Sequence, residues 1–427
     1  MLFRSAATRR PTSRRSTSIE LGRSVTTTEA PTLAQARAGD RVAGEPQPAA
    51  PGAAAPAPFR FYDNRQKYLA FVNTCNEKSA VAARAAQELR LIHPTPPCLR
   101  LFDAGMGDAT VLARLMRSAH RQFPTVPLMV VAKEISLEDV RLGLDKMADR
   151  FFEHPHTVLV ITNLNYSEAP RLMPQDVNAA AALNWQTVRL TGHSAHEYEE
   201  QIEALGPMLS HGWQTKPSAK SGNPVYVRPT VLVVYRDDHK FVLDAVIPKP
   251  GQTLGNYDLI VASQPWRART SAPLKAQRIL APLTRSLAPG GRMIVIQSYG
   301  DDPALEIVRK LWPAESPFKV NRLELLKALK TELGHDARDY GLVAPADDKS
   351  LFRYQMHTLP SEIGERVGTS TLFAAWNAAI YVNQIADEML DAVVTTGAYL
   401  DATQAVLKQH GGLWFNDESF VVTCKRH

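Results

Sequence analysis

Apolar positions along this 427-residue chain follow two rhythms. Short apolar runs of the kind that form strands buried on both faces occur at 99–103, 127–135, 157–163, 257–263 and 293–297. Between them, apolar residues recur every three or four positions, as on one face of a helix. Val81, Ala82, Ala85 and Leu89 predict a helix over 77–91, ended by His93-Pro94-Thr95-Pro96-Pro97. Val111, Leu112, Leu115 and Met116 predict a second over 110–120, and another is expected over 272–287. Ser136, with Asp139 at the third helical position, reads as the cap of a further helix. Strands alternating with helices imply right-handed crossovers and a parallel sheet.

Two long stretches interrupt the alternation. The first, about 171–255, contains a predicted helix at 194–209. It also contains two apolar segments, Thr230–Val234 and Phe241–Ile247, joined by Arg236-Asp237-Asp238-His239, which read as a β-hairpin. The second, about 318–410, is mainly helical in pattern, at 322–333, 371–390 and 394–409.

The first strand ends in Leu-Phe-Asp103-Ala-Gly105-Met-Gly107-Asp108-Ala-Thr110. A strand, a glycine turn and a helix start bring bare backbone close to a ligand and aim N–H groups at it. The second strand ends in Lys133-Glu134, 27 residues past Gly107. A carboxylate at that place can accept hydrogen bonds from both hydroxyls of a ribose.

The Asp103-x-Gly105-x-Gly107 turn resembles motif I of the class I S-adenosylmethionine (SAM) dependent methyltransferases, Asp/Glu-x-Gly-x-Gly-x-Gly, with Ala109 in the third glycine position. Leu287-Ala-Pro-Gly-Gly-Arg-Met-Ile-Val-Ile296 resembles the turn into the fifth strand of that superfamily, and 412–425 its closing antiparallel hairpin. Ser263-Gln264-Pro265-Trp266 stands where motif IV, Asp/Asn/Ser-Pro-Pro-Tyr/Phe/Trp, would be, with glutamine in place of the first proline. The resemblance implies a doubly wound, Rossmann-like α/β methyltransferase sheet. Its core would span about 99–166 and 256–312 plus the hairpin, with an insertion between the third and fourth strands and a helical C-terminal addition. It further implies that Asp103, Gly105, Gly107 and Asp108 border the amino-acid portion of SAM. Glu134 would hold the ribose, Asn163 and Leu164 would flank the adenine, and Ser263 would complete the cofactor site. Gln264 and Trp266 would orient a small-molecule acceptor at an undetermined nitrogen or oxygen, with the two additions shaping the acceptor pocket. His357, Tyr62, His193 and His196 are the candidate bases.

Two other readings remain open. An NAD(P)-binding oxidoreductase is opposed by Thr110, where Gly-x-Gly-x-x-Gly needs a small residue. A methyltransferase-like binding module without activity is left standing by Ala109 and Gln264.

Charge narrows the partners. The net charge is +6, but residues 1–57 carry eight arginines against four acids, so the remainder is close to neutral and no nucleic-acid partner is expected. Cys75, Cys98 and Cys424 follow no metal or disulfide spacing, so a reducing, cytoplasmic setting is expected and no metal is assigned. His193-x-x-His196-Glu197 reads as a solvated helix start rather than a metal site. No apolar run reaches membrane-span length, which predicts a soluble protein. Residues 1–57, rich in arginine and then in alanine and proline, read as a disordered tail, with organellar targeting by 1–25 as the alternative. Folded structure is expected over 58–427, opening on Phe59, Phe61 and Tyr62. The sequence sets no oligomeric state.

Overall fold

The five apolar runs are all strands, and they lie side by side and parallel in one sheet. A computed structural model describes residues 65–219, 224–358, 360–364 and 367–425. The expected tail, the opening aromatics Phe59 and Phe61, and the candidate base Tyr62 lie outside the described residues. Strands β1 (Leu99–Asp103), β2 (Leu128–Lys133) and β3 (Thr157–Thr162) pair in parallel, and β2 and β3 are buried at every position. Further along the chain come β4 (Asn184–Leu190), β5 (Thr215–Pro217), β6 (Pro224–Tyr226), β7 (Thr230–Arg236), β8 (Tyr257–Ser263), β9 (Leu287–Ser298), β10 (Tyr340–Val343), β11 (Leu351–Gln355) and β12 (Trp414–Cys424). The main sheet runs β10-β12-β9-β8-β1-β2-β3-β7-β4, with β11 also paired to β12. The order reverses at β1: its neighbours are β2 on one side and β8 on the other, both parallel to it.

Two apolar layers cover the faces of the sheet. One gathers Leu89, Leu112, Leu115, Val140 and Tyr198 from helices Glu77–Leu89, Thr110–Gln122, Leu137–Asp145 and Ala195–Glu203. The other gathers Leu280, Leu283, Leu325 and Leu329 from the 272–284 helical segment and from Arg322–Leu333. A third cluster joins helices Arg65–Thr74, Pro303–Leu311, Thr369–Val382 and Ala398–His410 around Phe71, Tyr354, Trp376 and Phe415. Ser136 caps its helix as expected, accepting from the Asp139 N–H at 3.2 Å.

The structure corrects three expectations. No hairpin spans 230–247: β7 is a buried strand, antiparallel to β3 and parallel to β4, and it extends the sheet. The chain then forms a helical turn, Lys240–Leu243, because the buried positions Leu243 and Val246 recur at helical spacing while Phe241 is 95% exposed. The 412–425 segment is one strand, not a hairpin. Asn416, Asp417 and Glu418 lie inside β12, which inserts antiparallel between β9 and β10. Two of these polar side chains have partners there: Asn416 donates to the Gly300 and Asp301 carbonyls, and Glu418 meets Gln297 and Arg322. The C-terminal addition is mainly helical, as expected, and also supplies two strands, β10 and β11. Finally, the 194–209 helix is broken at Gly206-Pro207 into Ala195–Glu203 and Gly206–Gly212.

Candidate functional site: a cleft at the sheet's switch point

In a doubly wound sheet the carboxyl ends of the two strands flanking the reversal leave a crevice for ligand. Here that crevice lies above β1 and β8 and opens into a cleft of about 830 Å³. A volume of this order suits a nucleoside-sized ligand with a second molecule beside it.

The glycine turn forms the floor. Gly105 and Gly107 line the cleft, and Gly107 has a left-handed φ of +53°. A side chain at Gly107 would place its Cβ 2.9 Å from the Tyr68 hydroxyl, so glycine is required on steric as well as conformational grounds. Both glycine N–H groups are already taken by acids. Asp103 Oδ1 accepts from Gly105 N at 3.1 Å, and Glu134 Oε2 accepts from Gly107 N at 2.7 Å. The other Glu134 oxygen accepts from Ile135 N at 2.6 Å and Ser136 N at 2.8 Å. Burial raises the Glu134 pKa, opposed by these three hydrogen bonds. Burial also lifts Asp103 to about 6, against the Gly105 N–H and the Lys78 charge. Asp108 is held below its usual range: burial pushes it up, but the Thr110 hydroxyl, Lys78 and Lys146 together outweigh that. Asp103 and Asp108 support the turn from below and do not form the cleft wall.

Beyond Glu134 apolar side chains line the cleft among polar ones such as Ser136, Asp139 and Gln214. Ile135, 39% exposed, stands with Leu137, Trp213 and Tyr226 around an open slot. Trp213 Nε1 donates to the Glu134 carbonyl at 2.9 Å, and the Tyr226 hydroxyl donates to the Ile135 carbonyl. Trp213 and Tyr226 belong to the insertion between β3 and β8, so the insertion walls the Glu134 side of the cleft. The C-terminal addition supplies Tyr354, Tyr381, Val382 and Gln384 at the opposite end.

The loop after β8 contributes Ser263, Gln264, Pro265 and Trp266. Gln264 has φ +52°, which explains the departure from proline: a pyrrolidine ring fixes φ near about −65° and cannot take this conformation. Its Nε2 donates to the Ser298 hydroxyl at 2.9 Å. Trp266 is buried, donates to Gln297 Oε1 at 3.2 Å and carries Lys275 Nζ 5.2 Å from its ring centroid. The Tyr166 hydroxyl, 2.8 Å from the Ala104 carbonyl, ties the segment after β3 to the glycine turn.

Several expected residues lie elsewhere. Asn163 and Leu164 are buried away from the cleft. The Asn163 side chain accepts from Thr230 N at 2.8 Å and donates to the Gly212 and Arg228 carbonyls, so it braces the insertion. His357 is exposed, with its backbone N–H on the Thr74 carbonyl, and does not line the cleft. His193 and His196 sit at the exposed start of helix Ala195–Glu203, where Ser194 is the cap and Glu197 accepts from His193 N. No histidine lines the cleft among the described residues.

Lys78 was not anticipated. It lies at the start of helix Glu77–Leu89, lines the cleft and has its Nζ 3.3 Å from Glu77 and 5.4 Å from the Tyr68 ring centroid. Burial pulls its pKa down, but Glu77 first, then Tyr68 and Asp108, hold it well above the usual lysine value, so it is a cation. Asn76-Glu77-Lys78 reads locally as an ordinary helix start, and only the fold brings it over the glycine turn.

The sheet reverses between its first and fourth core strands, and its last strand inserts antiparallel beside the fifth. At that reversal the glycine turn carries carboxylates on both N–H groups. This is the doubly wound, Rossmann-like arrangement that the sequence resemblance implies. Solved structures similar to the chain include a candidate sarcosine dimethylglycine methyltransferase from Galdieria sulphuraria, at 8% identity over 82% of this chain and 85% of that one, with a TM-score of 0.32. The plantazolicin methyltransferase BpumL in complex with S-adenosylhomocysteine (SAH) matches at 10% identity over 86% and 92%, with a TM-score of 0.31. PKMT2 from Rickettsia typhi matches at 12% identity over 81% of this chain and 53% of that one, with a TM-score of 0.28. Scores of this size carry no argument, so the assignment of a methyltransferase fold rests on strand order and the glycine turn. No protein-family model and no curated protein matches the sequence.

Proposed function

We propose that this chain is a SAM-dependent methyltransferase acting on a small-molecule acceptor. The observation that carries the reading is the occupancy of the glycine turn. A dinucleotide fold presents free N–H groups there to a pyrophosphate. Here Asp103 and Glu134 occupy them, and Asp108 adds a third acid nearby. Such a turn repels a pyrophosphate and suits a ligand with positive charge at this point.

The residues present fit SAM group by group. Glu134 retains acceptor capacity for ribose hydroxyls beyond its three backbone bonds. The slot bounded by Ile135, Leu137 and Trp213 matches a planar base. Lys78 is a half-buried cation placed for the carboxylate of the amino-acid portion, and the acids beneath the turn suit its ammonium group. Bound there, SAM would supply an activated methyl group for the acceptor's lone pair, with the sulfur keeping the electron pair of the broken carbon–sulfur bond and the acceptor losing a proton.

The chain's own contribution is placement. Gln264 and Trp266, fixed by Ser298, Gln297 and Lys275, border the junction between the glycine turn and the far end of the cleft. Orientation of this kind can supply about 7–11 kcal/mol of the barrier. Calorimetric titration of the full chain with SAM, SAH and NADH tests the reading. Micromolar binding of SAM and SAH, weakened by Gly105→Val, supports it, whereas preference for NADH refutes it. SAM consumption in the presence of an amine and alcohol panel separates an enzyme from a binding module.

A further inference from the structure

The chain after β8 carries three cations, Arg267, Arg269 and Lys275, where the glycine turn meets the far end of the cleft. A Cβ at Gly105 would lie 4.0 Å from the Ser263 carbonyl oxygen, so the loop starts against the glycine turn. It then latches onto the C-terminal addition. Ala268 N donates to Gln384 Oε1 at 3.0 Å, and Arg269 donates to the Asn383 carbonyl at 3.3 Å and the Gln384 carbonyl at 3.2 Å. Arg269 also pairs with Glu315, and Lys275 Nζ donates to the Ala268 carbonyl at 3.1 Å. Two cleft residues of this junction, Gln264 and Gln384, hold left-handed backbones, at φ +52° and +51°. Such backbone is costly outside glycine and collects at ligand sites. Arg267 is the exception among the three cations. It is half-buried and lines the cleft, and its guanidinium has no hydrogen bond or ion pair among the described residues. The four acids that line the cleft are all on the cofactor side: Glu77 pairs with Lys78, Glu134 clasps Gly107, and Glu138 and Asp139 open the helix after β2.

The same end offers nothing to take a proton. No histidine lines the cleft among the described residues, and burial holds the Tyr354 and Tyr381 hydroxyls well above the phenol range, so both stay neutral. Lys133, at the end of β2, is lowered by burial to about 8 and is still mostly a cation at neutral pH. An alcohol or an ammonium group must give up a proton to accept a methyl group, and needs a base for it. A carboxylate, with an ordinary pKa of about 4, has already lost its proton. It is also the group that a guanidinium holds best, through two parallel hydrogen bonds. A phosphate monoester would set about two negative charges against a single arginine. One group therefore answers both the unpaired cation and the missing base.

We propose that Arg267 binds the carboxylate of the acceptor and that this carboxylate is the group methylated, so that the substrate is a carboxylic acid with an apolar body. The transfer rests on the methyltransferase reading; the carboxylate site itself does not. A lone pair on one carboxylate oxygen forms the O–CH3 bond as the CH3–S bond breaks, and the sulfur keeps the electron pair. The products are a neutral methyl ester and SAH, and no proton moves. Phe71, Tyr354 and Tyr381 line the cleft beyond the loop, with the Phe71 ring centroid 5.1 Å from that of Tyr381 and 6.1 Å from that of Tyr354, and offer apolar surface to the body of the acid.

The test uses full-length protein and adds phenylacetate and octanoate to the amine and alcohol panel, each beside its matched alcohol, amine and primary amide, with phenyl phosphate as a second anion. Titrations are made with SAH saturating, which covers Lys78, and again without SAH on the Lys78→Met protein. The carboxylates should bind about ten-fold or more tightly than their analogues and than phenyl phosphate. Arg267→Met should weaken them about ten-fold or more and leave SAH affinity within about two-fold, and Arg267→Lys should restore part of the loss. Arg267→Gln repeats the test if the methionine variant does not fold. With SAM, mass spectrometry should find a methyl ester that hydroxide hydrolyses. Equal binding of acid and alcohol, preference for the amine or the phosphate, no carboxylate binding at millimolar concentration, or binding that Arg267→Met leaves unchanged overturns the carboxylate site. A bound carboxylate that SAM does not esterify overturns the transfer. SAH binding is read separately, so if SAH does not bind the methyltransferase reading fails, and the Lys78→Met series still decides the carboxylate site.

Discussion

Replacing Glu134 with glutamine isolates what its charge does. The carboxylate accepts three backbone N–H bonds, from Gly107 at 2.7 Å, Ile135 at 2.6 Å and Ser136 at 2.8 Å. A carboxamide has one oxygen and one NH2 group. If the oxygen keeps Ile135 and Ser136, the NH2 group faces the Gly107 N–H, donor against donor. One stranded buried N–H costs about 1–3 kcal/mol, and the two remaining bonds lose their charge assistance, about 1 kcal/mol each. Glutamine also escapes the burial that raises the Glu134 pKa, which returns part of the loss. The net expectation is a loss of about 1–3 kcal/mol in unfolding free energy, read by urea titration of the free protein. SAH affinity should fall further, by about 10–100-fold in calorimetry, because the ribose acceptor weakens and the glycine turn loosens together. Unchanged stability would show that Glu134 does not clasp the turn. Unchanged SAH affinity would refute its place in the cofactor site.

Four other expectations concern the cleft. Gly107→Ala should cost about 1–2 kcal/mol through its left-handed backbone, displace Tyr68 and weaken SAH about ten-fold or more in titration. Lys78→Met should weaken SAH about 10–100-fold, by loss of a charge-assisted bond, with the circular dichroism spectrum kept. Asp103 beneath the glycine turn and Asp139, which lines the cleft, are both lifted by burial to about 6, so SAH affinity should decline as pH falls below 6, as these acids lose the charge that attracts the ammonium group. The same two groups act oppositely on the free protein: a raised carboxyl pKa contributes stability that is present below its unfolded value and lost as pH rises through 6, so urea midpoints should show their contribution growing from pH 7 toward pH 4. His357→Ala should leave both SAH affinity and turnover unchanged, and a large loss of turnover would restore it as a base.

The parallel centre of the sheet was legible because its signal is local. Runs such as Leu-Met-Val-Val and Val-Leu-Val-Ile are buried at every position, and the acid-and-glycine turn falls between a strand and a helix, as its residues require. The sheet's margins were not legible. Strand β7 and the helical turn after it are both short apolar segments, and only their pairing separates them: β7 has β3 and β4 to bond, while Phe241 faces solvent. In β12 the polar triplet Asn416-Asp417-Glu418 imitates a turn. It is a strand interior because Gly300, Asp301, Gln297 and Arg322 are waiting across the ladder, and those partners are remote in sequence.

The same physics explains why the glycine-turn half of the cleft was legible in part, with Gly105, Gly107, Glu134 and Ser263 on its wall and Asn163 and Leu164 off it, and the other half was not. A phosphate- or nucleoside-binding turn needs consecutive residues, since backbone N–H groups and a helix start supply its chemistry. The far end needs only side chains meeting at one point. It draws them from the Arg65–Thr74 helix, the Glu77–Leu89 helix, β11 and the Thr369–Val382 helix. In each segment the residue concerned looks like ordinary core. The 352–357 stretch shows how narrow the margin is: Tyr354 and His357 both stand out there, and histidine is the more familiar catalytic type. Strand pairing decides between them. Tyr354 lies within β11, opposite Phe415, and is turned inward, whereas His357 comes after the strand and emerges into solvent. The ladder buries Tyr354, and its hydroxyl has no hydrogen-bond partner among the described residues.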